Sequence, residues 1–272
     1  MLNIAKLPTS SYYDWKNKIE NNIDKDKEVR EEIKSIVKES NGRYGYRRVT
    51  TALKNKGLKV NHKRVLRIMR EEKILCTKFK TRTRKYSSYK GQVGKVAPNI
   101  IERNFTATKP NSIWLTDVTE FRIKGKEEKI YLSPILDVYN GEIISYTISY
   151  HPTVELTNTM LRNALNKISD DDKENLVIHS DQGFHYQHSS WTQKLEENKI
   201  TQSMSRKGNC LDNSPMENFF GILKQEMYYG VEFNDYEELI KEVEKYIEWY
   251  NNDRIKTKLN GMSPVMFRLH SA

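Results

Sequence analysis

Apolar residues recur at helical spacing through the first third of the chain. Tyr12, Trp15 and Ile19 do so after a Thr-Ser-Ser start at Thr9, and Val29, Ile33, Ile36 and Val37 repeat the signal over 27–39. "GRYGYRRVTTALKNKG" predicts a helix over 46–56 that ends at Gly57. Asn61 is placed to cap a fourth helix, "HKRVLRIMREE". Its inner stripe is Val65, Ile68 and Met69, while Lys63, Arg64, Arg67 and Arg70 lie largely outside it. Periodicity then lapses. Residues 76–108 read as a linker, rich in Lys and Arg and carrying Tyr86 and Tyr89.

From residue 110 the pattern becomes β-type. "SIWLTDVTEFRI", "KIYLSPILDVYN" and "EIISYTISY" are rich in Ile, Val, Tyr and Thr, and Asn140-Gly141 suits the tip of a hairpin between the last two. A helix over 153–168 follows, then the short buried-type strand "NLVIHSD", a helix over 189–199, a strand "ITQSMS" and a helix over 214–229. A strongly amphipathic helix covers 235–250. Three antiparallel strands followed by α/β alternation predict a five-stranded mixed sheet flanked by helices, an α/β core behind a small all-α region. The expected division is 1–75 helical, 76–108 linker, 109–230 core and 231–272 helical extension. The chain shows no internal repeat.

Charge sharpens this division. The 272 residues carry a net charge of +10, but residues 1–100 hold 26 Lys and Arg against 10 Asp and Glu, while residues 101–272 hold 20 against 26. Nearly all the excess lies in 41–95, with 18 basic residues against Glu71 and Glu72. A basic helical region joined to an acidic core suggests a polyanion-binding module on a different domain. Short helices in series with a basic last helix suit a helix-turn-helix-type binder; Arg47, Arg48, Lys63, Arg64, Arg67 and Arg70 are its candidate DNA contacts. A small bundle with a solvated basic surface is the plainer alternative. A basic, tyrosine-bearing strap could follow a phosphate backbone and stack on bases. Cys76 and Cys210 are isolated, which points to a reducing compartment. The chain has no apolar run of membrane-spanning length and no signal-peptide pattern at its start, so a soluble, cytoplasmic protein is expected.

Three carboxylates stand out by position. Asp117 interrupts a β-prone run, where an unpaired charge is costly. Asp181 ends a buried-type strand ahead of the turn Gln182-Gly183, and α/β sheets bind ligands at such strand ends. Glu217 lies in the first turn of the helix that begins "SPMENFF", where Ser214, Pro215 and Glu217 also fit a simple capping box. If the first and fourth strands are neighbours, Asp117 and Asp181 lie side by side. A group of uncompensated carboxylates suits hard divalent cations, and two such ions about 3.5–4 Å apart support in-line phosphoryl displacement. A zinc site from His179, Asp181, His185 and His188 is a rival, at a spacing that matches no established ligand pattern. Asp137, in "ILDVYN", is a fourth candidate acid, with support of the turn or the sheet as the favoured reading.

The strand "WLTDVT", the turn "HSDQG", the run "SMSRKGNCLDNSPMENFFGILKQE" and the 35 residues between Asp181 and Glu217 resemble the integrase-like DDE transposases of bacterial insertion sequences. The resemblance is closest to insertion-sequence family three, in its second reading frame, and covers nearly the whole chain. "RYGYRRVTTALKNKGLKVNHKRVLRIMRE" is similar to that family's helix-turn-helix-like segment, and "YIEWYNNDRIKTKLNGMSPVMF" to its C-terminal signature. The resemblance implies an RNase H-like core of the retroviral-integrase type with Asp117, Asp181 and Glu217 as catalytic triad and metal ligands. It implies two Mg2+ or Mn2+ ions, cleavage at element ends and strand transfer by the freed 3′-hydroxyl. On this reading Glu217 both caps its helix and binds metal, Asp212 is a loop acid outside the metal site, and Lys224, two helical turns beyond Glu217, touches DNA near the cut. The implied partners are the terminal inverted repeats, target DNA, further copies of the chain and an upstream-frame product joined by frameshifting. Lys256 departs from the family, in which many members carry His two positions after the residue matching Arg254. A nuclease that cuts without joining, and a non-catalytic DNA-binding inhibitor, are the alternatives. The polar loop 206–213, which contains Gly208, is expected to let Glu217 stand away from the aspartates when no metal is bound.

Overall fold

The computed structural model describes residues 8–20, 24–79 and 96–271. It divides into two compact units, residues 1–76 and 77–272. The expected strap tyrosines, Tyr86 and Tyr89, lie outside the described residues.

The first unit contains α1 (Thr9–Glu20), α2 (Lys27–Glu39), α3 (Tyr46–Asn55) and α4 (His62–Glu71). Ile33, Ile36, Val49, Leu53, Val65, Ile68 and Met69, which recur at helical spacing, bury the facing sides of α2, α3 and α4. Asn61 caps α4 as its sequence position requires, its side chain accepting the Lys63 N–H at 2.8 Å. The α1 helix forms where its pattern predicts, but Tyr12, Tyr13 and Trp15 are exposed. The core of α2–α4 closes without them.

The second unit is built on β1 (Ile113–Thr116), β2 (Thr119–Phe121), β3 (Ile130–Asp137), β4 (Ile143–Ser149), β5 (Val177–Ser180) and β6 (Thr201–Met204). The β3 strand pairs antiparallel with β4 on one side and with β1 and β2 on the other. The β1 strand pairs parallel with β5, and β5 parallel with β6. Six strands replace the expected five because the first is broken at Asp117-Val118. The Val118 N–H turns to its neighbour's carboxylate, Asp117 Oδ1, at 2.7 Å. With β1 and β2 taken as one interrupted ribbon, the order β4-β3-β1-β5-β6 is the RNase H-like arrangement.

Helices cover both faces. On one lie α9 (Ser214–Leu223), a π-helical turn at Lys224–Tyr228, and α10 (Tyr236–Asn252); on the other lie α5 (Val154–Leu165), α7 (Phe184–Gln187) and α8 (Ser189–Glu197). The strand period of two decides which residue serves which core. Leu115 packs with Phe219 and Tyr246 of α9 and α10, and Trp114 with Met160 and Trp191 of α5 and α8. Both are fully buried, and each such side chain contributes about 2 kcal/mol of hydrophobic stabilisation. The short helices α6 (Asp170–Glu174) and α11 (Pro264–Ser271) complete the unit. Among the described residues no helix is long and apolar enough to cross a membrane.

The hairpin between β3 and β4 turns through Asn140-Gly141 as expected, with Gly141 at φ 70°. A side chain at this position would also displace the Lys256 ammonium. Lys256 donates to the Asn140 and Gly141 carbonyls at 3.2 and 3.0 Å and lies over the Tyr250 ring. The Lys256 side chain therefore ties the C-terminal segment to the hairpin.

Candidate active site

The sheet register brings Asp117 and Asp181 together. Leu115 of β1 pairs with His179 of β5 in a parallel ladder, so the two aspartates follow the same level of adjacent strands. Both occupy the C-terminal ends of those strands, where the ladder has ceased and side chains reach beyond the sheet edge. Both carboxylates are held by backbone as well: Asp117 Oδ1 accepts the Val118 N–H, and Asp181 Oδ1 accepts the Gly183 N–H at 2.8 Å. An added Cβ at Gly183 would lie 2.8 Å from Asp181 Oδ1, so a side chain there would force that carboxylate to shift.

Burial raises the proton affinity of Asp117 well above the ordinary carboxylate range, and the charge of Asp181 raises it further, with a smaller contribution from Glu217. The Val118 N–H and the Lys224 ammonium act in the opposite sense. Burial likewise raises Asp181, against the Gly183 N–H and His185. Two carboxylates so placed repel each other and favour either a shared proton or a cation.

Glu217 is exposed on the first turn of α9. Its carboxyl is raised by partial burial alone. Among the described residues no three His, Cys, Asp or Glu side chains converge closely enough to hold one ion. Asp117 and Asp181 are therefore brought together, and Glu217 stands apart. The expected capping box does not form. Ser214 is already in the helical conformation, following a 3-10 turn at Cys210–Asn213, and no side chain caps α9. The carboxylate of Glu217 is accordingly not engaged as a cap.

Lys224 is not a solvated lysine. It is 5% exposed, and its Nζ donates to Thr119 Oγ1 at 2.6 Å and to the Glu120 carbonyl at 2.9 Å while lying over the Phe121 ring. Thr119 and Glu120 begin the strand just beyond the break at Asp117, which places the ammonium on the acid side of the sheet. In the first unit, Asp26 holds Arg64 and Arg67, both at 2.5 Å, and Glu71 holds Arg67 at 2.7 Å. Arg47 is exposed beside the Tyr46 hydroxyl, and Arg48 lies 6.0 Å from the Tyr44 ring centroid. Lys63 and Arg70 are exposed and have no acidic partner among the described residues.

The zinc alternative dissolves into structural contacts. His179 is buried between Ser203 Oγ at 2.9 Å and Ser205 Oγ at 3.0 Å, and burial pushes it down to about 4, so its ring is neutral. His185 binds the Pro152 carbonyl, and His188 caps α8 by accepting the Ser190 N–H. Asp137 accepts the Asn111 and Tyr139 N–H groups and pairs with Arg268, so it supports the hairpin end.

Two acids have exacting roles that the sequence did not announce: Asp212, expected only as a loop acid outside the metal site, and Glu226. Asp212 is fully buried and accepts from Arg206, Arg103 and Asn99. Arginine hydrogen bonds, above all those of Arg206, hold its carboxyl far below the usual range. Glu226, in the π-helical turn, is 1% exposed and receives Arg254 at 2.9 and 2.6 Å and the Tyr246 hydroxyl at 2.8 Å. A charge at a position within the apolar period of a helix was the available signal for Glu226. Its partner lies 28 residues away.

Comparison with known proteins gives a consistent pattern. Integrase core domains match residues 107–210 and 217–271, and an HTH-like domain matches residues 24–83. The InsK protein of insertion sequence element IS150 from Escherichia coli K12 is 44% identical over 268 residues, covering 98% of this chain and 92% of that protein. The transposase InsF for insertion sequence IS3A from the same organism is 30% identical over 274 residues, again covering 98% and 92%. Among solved structures, the catalytic core domain of HTLV-2 integrase in complex with magnesium aligns with 60% of this chain and 99% of its own, at 17% identity and a TM-score of 0.46.

Proposed function

The chain belongs to the insertion-sequence transposases that carry an integrase core, and from that membership we propose that Asp117, Asp181 and Glu217 are the acids of a DDE two-metal site that cleaves element ends and joins them to target DNA. The observation that carries this reading is the in-register placement of Asp117 and Asp181 at the ends of adjacent parallel strands, both with proton affinities raised by burial and that of Asp117 raised further by the Asp181 charge.

The donor set fits hard divalent cations: oxygen ligands only, two of them backbone-oriented carboxylates that lack a counter-charge of equal size. Asp117 and Asp181 would hold Mg2+ or Mn2+ between them, with Glu217 as the third ligand. Two bound ions supply activation of the attacking hydroxyl and stabilisation of the leaving oxygen. Lys224, anchored on Thr119 and Glu120, keeps positive charge beside Asp117 and is a candidate contact to DNA at the cut.

The first unit would hold DNA through Lys63, Arg64, Arg67, Arg70, Arg47 and Arg48. Arg64 and Arg67 must exchange the half-buried Asp26 for phosphate. Lys63 and Arg70 need no such exchange. Each of Lys63→Ala and Arg70→Ala should therefore flatten the log–log salt dependence of duplex binding by about 0.9. Arg64→Ala should have a smaller effect. Unchanged slopes for Lys63→Ala and Arg70→Ala in a salt titration would remove α4 from the DNA interface. Terminal repeats, target DNA and further copies of this chain are the partners this reading implies, with an upstream-frame product or frameshift fusion as a further candidate.

A strand-transfer assay with labelled element ends tests the function. Joined product supports transposition. Cut but unjoined product supports a nuclease, and bound but unprocessed DNA supports a DNA-binding inhibitor. Gly183→Ala, whose methyl group would press on Asp181 Oδ1, should lower joining by roughly ten- to a hundredfold with the fold retained, as small misplacements of reacting groups do. Full activity in Gly183→Ala would show that the Asp181 carboxylate has freedom to spare.

A further inference from the structure

The loop between β6 and α9 is pinned from both sides, although its polar composition and Gly208 suggest a loose segment. On one side, the Asp212 carboxylate is fully buried and gathers five hydrogen bonds. The Arg206 N–H, Nε and Nη2 donate at 3.0, 2.9 and 2.9 Å, Arg103 Nε at 2.7 Å and Asn99 Nδ2 at 3.1 Å. On the other side, the adjoining Asn213 donates its amide to the Thr116 carbonyl at 3.2 Å. Thr116 is the residue before Asp117.

Arg206 is itself tied to the second aspartate. Its neighbour Ser205 donates its N–H to the Ser180 carbonyl at 2.9 Å, and Gln182 Nε2 donates to the Ser205 carbonyl at 3.0 Å. Ser180 and Gln182 flank Asp181. A continuous path of hydrogen bonds therefore runs from the Asp181 turn through Ser205, Arg206, Asp212 and Asn213 to the residue that precedes Asp117. Glu217 lies on the first turn of the helix that this path anchors.

We propose that Asp212 is a positioning residue for Glu217: its cage of Arg206, Arg103 and Asn99 fixes the start of α9 relative to the two aspartate-bearing strand ends. Burying a carboxylate with two arginines gives little net stability compared with an apolar contact, and a fully satisfied polar network chiefly fixes one geometry. With the helix start fixed, only the Glu217 side chain is left to adjust when a cation is bound. Without the cage, the whole segment 206–217 must be ordered at that moment, and the ordering cost weakens cation binding. The inference rests on the reading of Glu217 as the third ligand.

The test is Mn2+ binding to the full chain, followed by electron paramagnetic resonance, together with the Mn2+ dependence of end cleavage. Asp212→Asn should weaken Mn2+ binding by roughly tenfold, as loss of a group that orients a ligand does. It should raise the Mn2+ requirement for cleavage by the same factor, with the rate recovered at saturating Mn2+. Amide exchange over 209–217 should quicken. Arg103→Gln and Asn99→Ala each remove one bond from the partly exposed side of the cage, and should give the same shift in smaller measure should Asp212→Asn fail to fold. Lowered thermal stability with wild-type Mn2+ affinity in all three variants would leave Asp212 a purely structural anchor and overturn the proposal. Glu217→Gln serves as the reference. Unchanged Mn2+ affinity in that variant would remove Glu217 from the site and overturn the reading and the inference together, whereas a loss there with none in the cage variants overturns the inference alone.

Discussion

Asp117→Asn, Asp181→Asn and Glu217→Gln are each expected to lower end cleavage and joining by at least about 10³-fold, or about 4 kcal/mol of transition-state stabilisation. DNA binding should be largely intact, because the acids lie in the net-acidic part of the chain and the basic excess lies in 41–95. The amides keep the shape of the acids, and Asn at 117 or 181 can still accept the Val118 or Gly183 N–H. What they lose is charge, on which a cation-held phosphoryl displacement depends. Asp137→Asn should keep far more activity, since Asp137 serves the hairpin end and pairs with Arg268. Near-full activity of Glu217→Gln with Mg2+ would reduce Glu217 to a helix-start residue, a role that the absent cap bond at α9 does not favour.

The same acids should have an opposite effect on stability in the absence of metal. Asp117 and Asp181 bind protons more tightly folded than unfolded. Their ionisation in the folded state is therefore unfavourable, and their contribution to stability falls as pH rises from the ordinary carboxylate value of 3.8 through their raised folded values. Removing one charge relieves the pair. Asp181→Asn should raise the metal-free melting temperature of the protein at pH 7 by roughly 2–4 °C, the shift expected for about 1 kcal/mol in a domain of this size. The difference from wild type should shrink as pH is lowered toward 4. Addition of Mg2+ should reverse it, because wild type gains stability from binding and the variant does not. Other carboxylates, such as Asp212, are lowered and lose their contribution as pH falls, so the comparison must be made between variant and wild type at each pH. A variant less stable than wild type at pH 7 without metal would show that the two carboxylates do not repel.

The architecture was legible where periodicity is unambiguous. Val65, Ile68 and Met69 in α4 and the alternation of Trp114 and Leu115 in β1 assign each side chain to its core. The break in the first strand was not legible, since it depends on Asp117 capturing the next N–H instead of leaving it to the ladder. The pairing of Asp117 with Asp181 was a conditional expectation from strand order, and the parallel register of β1 and β5 satisfies its condition. Glu217 was legible as a helix-start acid, but the capping box was misread. Ser214 has the right identity for a cap, and the preceding 3-10 turn has already carried the chain into helix. Lys224 was expected two helical turns beyond Glu217, and its burial against Thr119 lies in a π-helical turn that residue spacing does not announce. The cage around Asp212 joins residues 99, 103, 206 and 212, a separation that no local pattern spans.

The most direct measurement is the anomalous scattering of a crystal of this chain grown with Mn2+. The account predicts a peak between the Asp117 and Asp181 carboxylates, with Glu217 turned toward it and α9 unmoved at its start. A peak at His179, His185 or His188, or aspartates that remain metal-free at saturating Mn2+, would contradict it.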